Sequence, residues 1–190
     1  MPRPSRFIFV AILALVAASA RAQRLDAPVR FTANAINMNR GGAGTVEIVI
    51  NRWSTNAERD KLMSVMMKDG AGKLLDVLQD MPRLGYFRTP GSVGIDIHFA
   101  RHVPGEDGGE RVILVTDRRI GFWEAANQPR SIDYPFTMFE LRLNKDGEGE
   151  GKLSIATKIV GDAENGIVTL ENYDIQPVML TNVKVEHKSR

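Results

Sequence analysis

Two patterns of apolar and polar residues divide the chain. From Ser54 to Met81 the apolar positions recur at helical spacing. Almost everywhere else they alternate with period two. The helical stretch opens on a capping box, in which Thr55 can accept from the N–H of Glu58 while the Glu58 side chain reaches back. Leu62, Met63, Val65, Met66 and Met67 follow at helical spacing. Lys68-Asp69-Gly70-Ala71-Gly72 interrupts the run with two glycines. A second apolar stripe holds Leu74, Leu75, Val77, Leu78 and Met81, and Pro82 ends it. The pattern predicts a helix pair over 55–81.

The flanking segments read as strands. Phe31 to Met38 carries Phe31, Ala33 and Ala35 on one face, and Thr45 to Trp53 carries Val46, Ile48 and Ile50. The glycine-rich Asn39 to Gly44 is the turn between them. Arg83 to Arg88 is a short strand. From Ser92 to His102, Val93, Ile95, Ile97 and Phe99 alternate against Gly94, Asp96, His98 and Ala100. Val112 to Val115 is apolar on both faces and needs cover on its second side, which the helix pair can supply. Tyr134 to Leu143 and Gly151 to Val160 are strands joined by a polar loop. Asn165-Gly166 marks a type I′ turn into Ile167–Tyr173, and Val178 to Val185 closes the β region. The fold class is mainly β with two inserted helices: one antiparallel β-barrel or β-sandwich of about nine strands.

The N-terminus has the layout of an export signal. Arg3 and Arg6 precede an apolar run from Phe7 to Ala18, and Ala20-Arg21-Ala22 is a small-x-small cleavage site. Residues 1–22 are read as a signal peptide, 23–185 as one domain and 186–190 as a flexible tail. The protein is expected to be exported, periplasmic or extracellular. No later apolar run approaches membrane-spanning length. The leader also changes the charge balance. The chain has 25 Lys and Arg against 23 Asp and Glu; the leader holds Arg3, Arg6 and Arg21 and no acid, leaving 22 against 23. A chain so balanced has no field to draw in nucleic acid. Without cysteine there is no disulfide framework and no thiolate chemistry.

Candidate chemistry is sparse. Pro90-Gly91-Ser92-Val93-Gly94 approaches a nucleophile elbow, but proline replaces the first glycine and a strand follows instead of a helix. His98 and His102 lie four apart, about 13 Å along a strand, too far to share an ion; His187 falls in the tail. Asp96 and His98 share a face and could form a hydrogen-bonded pair. Gly41-Gly42-Ala43-Gly44-Thr45 lacks the lysine of a phosphate loop. Asp146, Glu148 and Glu150 do not match a calcium loop. No cofactor or metal is implied.

A helix pair inserted into an antiparallel β chain resembles, in outline, carriers of fatty acids and other apolar ligands. The lipocalin Gly-x-Trp signature is not met at Asn51-Arg52-Trp53. The resemblance implies a non-enzymatic binding protein for a small apolar molecule. The methionine-rich helices would be its lid or wall, since methionine repacks readily. Candidate ligand-binding residues are Met63, Met66, Trp123, Tyr134 and Phe139, with Val93, Ile95, Ile97, Phe139 and Leu141 lining a cavity. Two alternatives stand beside it. One is a structural or protein-interaction module of the cell envelope; the other is an atypical hydrolase using His98 with Asp96 or Ser92.

Overall fold

The computed structural model describes residues 25–37, 42–105, 108–117, 137–155, 157–162, 167–172 and 178–186. In chain order these form β1 (Val29–Asn37), β2 (Gly42–Ile50), α1 (Asn56–Asp69), α2 (Ala71–Asp80), β3 (Gly85–Arg88), β4 (Ile95–Pro104) and β5 (Glu110–Thr116). Then come β6 (Thr137–Leu143), β7 (Glu148–Ile155), β8 (Thr157–Asp162), β9 (Ile167–Asn172) and β10 (Val178–Glu186). Eight of the strands close into an antiparallel barrel in the order β1-β10-β7-β6-β5-β4-β3-β2. The choice between barrel and sandwich thus falls to the barrel. No described helix is long and apolar enough to cross a membrane.

Closure rests on β1, which pairs with β2 on one edge and β10 on the other: Phe31 lies opposite both Ile48 and Val185. The inward positions are those the alternation predicts for β1 and β2. Phe31, Ala33, Ala35, Val46, Ile48 and Ile50 are all buried in one continuous core. Phe87, Val112, Leu114, Phe139, Leu141, Leu153 and Leu180 complete it. An eight-stranded barrel is just wide enough for its side chains to fill it, and here large and small residues interleave. Gly151 illustrates the fit: a Cβ there would lie 2.6 Å from Leu141 Cδ2 and 2.8 Å from the Glu140 carbonyl oxygen. One end is closed by the chain itself. Leu25 is buried, and its carbonyl accepts from Trp53 Nε1 at 2.8 Å.

The strand predicted over Gly151 to Val160 is two strands. β7 stays in the barrel and β8 leaves it to pair with β9 as a separate two-stranded ribbon. The ribbon lies beside both helices. Two other boundaries move. Strand β2 starts at Gly42 inside the expected turn, and it ends at Ile50, so Asn51 to Trp53 lies beyond it. The expected turn at Asn165-Gly166 and the tail after Glu186 lie outside the described residues.

The helix pair forms as its sequence dictates. Thr55 caps α1 with the full capping box: its hydroxyl accepts from the Glu58 N–H at 3.2 Å, and the Thr55 N–H donates to Glu58 Oε2 at 2.7 Å. Arg52 adds two hydrogen bonds to the same carboxylate, at 2.7 and 3.0 Å. Gly70 separates the helices at φ 77°, a left-handed value that glycine adopts without steric cost. Met81 is extended ahead of Pro82, which ends α2.

Two outcomes are expected. The hydrogen bonds from Arg52, with those from Thr55, hold the Glu58 carboxyl at about 2, against 4.5 ordinarily. A carboxyl depressed in the fold stabilises it above its ordinary value and loses that contribution as pH falls towards the folded one. Glu58→Gln should therefore cost about 1 kcal/mol at neutral pH. Urea midpoints for the two proteins should converge as pH falls from 4.5 to about 2. Phe139→Ala, which hollows the barrel centre, should cost about 3–5 kcal/mol in the same assay.

Candidate functional site

The helices pack on the outside of the barrel through a hydrophobic cluster of their own. Leu62 and Met66 of α1, Leu74 and Leu78 of α2, Met81 and Val115 of β5 are its buried members; Val77, Phe99 and Met138 are partly buried against it. Val115 is the outward side of the strand that the sequence marks as apolar on both faces, and the helix pair covers it as expected.

Strand β4 shapes the edge of this seam through a β-bulge. Ile97 pairs with Thr116 and Phe99 with Val115, so His98 is an extra residue on the β4 side. Bulges re-aim side chains and recur beside functional sites. Here the strict alternation predicted for Ser92 to His102 breaks. Phe99 packs in the helix seam, while Ala100, expected on the opposite face from Ile97, joins Ile97 in the barrel core. Val93 precedes the strand and is 95% exposed, so it lines no cavity.

His98 is buried, at 8% exposure. Its Nδ1–H donates to the Met81 carbonyl at 2.8 Å. Its Nε2 faces Asp117 Oδ2 at 3.8 Å. The expected partner, Asp96, is held instead by Arg83 at 2.9 Å. Ser92 is exposed, and its hydroxyl donates to the Thr89 carbonyl at 2.8 Å within a turn. It therefore sits in a local hydrogen-bonded turn with Thr89.

The remaining sequence candidates disperse. Met66 is buried in the seam, and Met63 is half-buried on α1. Phe139 is inside the barrel, its ring 5.0 Å from that of Phe87, in a different cluster from Met66. Ile97 and Leu141 face the same barrel interior, with Ile95 partly buried against its core. Trp123, Tyr134 and His187 lie outside the described residues. His102 stacks on Trp53 with ring centroids 4.6 Å apart, and its Nδ1 lies 3.1 Å from Glu110 Oε2. Asn144 Oδ1 accepts from the backbone of Asp146 and Glu148, and Glu148 pairs with Lys184 at 3.0 Å. Among the described residues no three His, Cys, Asp or Glu side chains gather to hold a metal ion.

Asp117 and the bulge are the parts that sequence reasoning missed. A signal for Asp117 exists, since it directly follows an apolar strand. Nothing in the spacing marks the bulge. Comparison with models of protein families, with curated proteins and with solved structures finds no match.

The Met81 carbonyl gives a direct check of His98's structural role. His98→Phe keeps a planar ring, slightly larger, but removes the donor to a buried acceptor. It should lower stability by about 1–3 kcal/mol, with the loss largest in the amide protection of α2 by hydrogen exchange.

Proposed function

We propose that the protein is an exported, non-enzymatic binding protein for a small apolar molecule, taken up at the seam between the helix pair and the barrel. The observation that carries this reading is the separateness of the seam. The barrel core and the helix cluster are distinct, and the second holds Met66, Met81 and Met138 with partly buried Phe99 and Val77 at its rim. Methionine has three rotatable bonds and a polarisable sulfur, so such a surface repacks around a guest at modest cost. The hydrogen-bonded barrel serves as the rigid wall and the helices as the adaptable one. Export is supported by the leader-like pattern over residues 1–22.

A second reading, a protein-interaction module of the cell envelope, is favoured by one feature. The β8–β9 ribbon pairs with no barrel strand among the described residues, and a free strand edge suits strand addition by a partner. Concentration-dependent sedimentation of the purified protein, abolished by a proline in β9, would favour it over the first.

The uncharged probe N-phenyl-1-naphthylamine tests the first reading. Saturable fluorescence enhancement at micromolar protein is expected. Met66→Trp, which fills the seam, should weaken it at least about tenfold, equivalent to roughly 1.4 kcal/mol. Phe139→Leu, inside the barrel, should leave it unchanged. An enhancement insensitive to Met66 and lost with Phe139 would place the guest elsewhere and overturn the reading.

A further inference from the structure

We propose that His98 and Asp117 are the polar end of this seam. They would select a guest whose head group donates hydrogen bonds, a hydroxyl or a primary ammonium, over one bearing a carboxylate. The inference rests on the apolar-ligand reading and adds the chemical class of the head group.

A carbonyl oxygen only accepts. The 2.8 Å contact to the Met81 carbonyl therefore places a proton on Nδ1 of His98. In the neutral tautomer with that proton on Nδ1, Nε2 is the ring's acceptor. Asp117 Oδ2 lies 3.8 Å from that atom, too far for a direct hydrogen bond. An ammonium nitrogen set beside both can donate to each at ordinary hydrogen-bond length, while a hydroxyl, with one proton, can donate to either. Asp117 has other company, but an ionised carboxylate offers about four lone-pair sites and can take a further donor. Met81 is also the C-terminal cap of α2. The end of that helix carries partial negative charge, which again favours a donor or a cation and disfavours an anion.

The polar pair is continuous with the apolar seam. Met81 belongs to the helix cluster, Phe99 follows His98 and packs against that cluster, and Val115 stands two residues before Asp117. A tail lying among Met66, Leu78 and Met138 would bring its head towards Nε2. Arg83, two residues after Met81, is engaged by Asp96 at 2.9 Å and lies over the Tyr86 ring at 5.3 Å, so it is committed away from an anionic head.

Decanol, decylamine and decanoate share a tail and differ in the head. The test is displacement of N-phenyl-1-naphthylamine from the purified protein by each. Decanol and decylamine should displace it at concentrations about tenfold lower than decanoate does, the worth of one hydrogen bond in a desolvated site. His98→Phe should shrink the preference while probe binding persists. Asp117→Asn, a milder change, should reduce the advantage of decylamine over decanol. Decanoate displacing as well as the other two would overturn the head-group inference and leave the apolar-ligand reading standing. Failure of the probe to bind at all would remove both.

Discussion

The pairing of β1 with β10 is the constraint on which the rest of the structure depends. Before it forms, the sheet has two open edges and an apolar face that could pack in several ways. Once Phe31 sits between Ile48 and Val185, the interior becomes a closed volume of set width. The pairing is not regular. Strand β10 carries an additional residue relative to both its neighbours, and Asn182 within that irregular stretch adopts φ 51°. Asparagine is among the few residues that tolerate this region, and a bulge of this kind bends and twists a strand as closure requires. Leu180 and Val183, three apart, both reach the core as a result.

A closed barrel has an outside as well as an inside, and part of the outside of β4 to β6 is apolar. Phe99, Val115 and Met138 would meet water there without the helices. The helix pair is therefore required by the barrel sequence. It needs the barrel in turn, because two helices of 14 and 10 residues are marginal in isolation. The second bulge, at His98, ties the two parts together. It turns Phe99 into the helix seam and places a histidine where its Nδ1–H reaches the Met81 carbonyl. One irregular residue thus bears a packing role and a polar contact at once.

Much of this was legible in the residues. The helix pair announced itself through Thr55, Glu58, Gly70 and Pro82, each of which acts locally, and the cap and break form as read. Val112 to Val115 lacked a polar face, which required a cover. Inward positions on β1 and β2 followed period two because nothing interrupts them. The limits were physical as well. A bulge is set by the register of two strands distant in sequence, so no local pattern around His98 records it. Past the bulge Ala100 and Phe99 exchange faces, while Asp96, which precedes it, is taken by Arg83 and not by His98. The split of the strand after Ile155 is equally non-local, since it depends on β7 pairing with β10 and β8 with β9. Met66 and Phe139 were grouped as one site on chemistry alone. Their separation into two clusters depends on which side of the wall each strand presents.

That separation bears on how such a protein could bind anything. In a close-packed interior, admitting a guest means displacing side chains, and the cost rises with how many neighbours each one has. The barrel core is bounded on all sides by hydrogen-bonded strands, so opening it breaks the ladder. The seam is bounded on one side by helices connected to the barrel through the short links Asn51–Thr55 and Met81–Leu84. Local opening there leaves the eight-stranded ladder intact. Regions of this kind open at a lower free energy than the global unfolding transition. With Met66, Met81 and Met138 at the seam, the chain has put its adaptable side chains where movement would break no strand ladder.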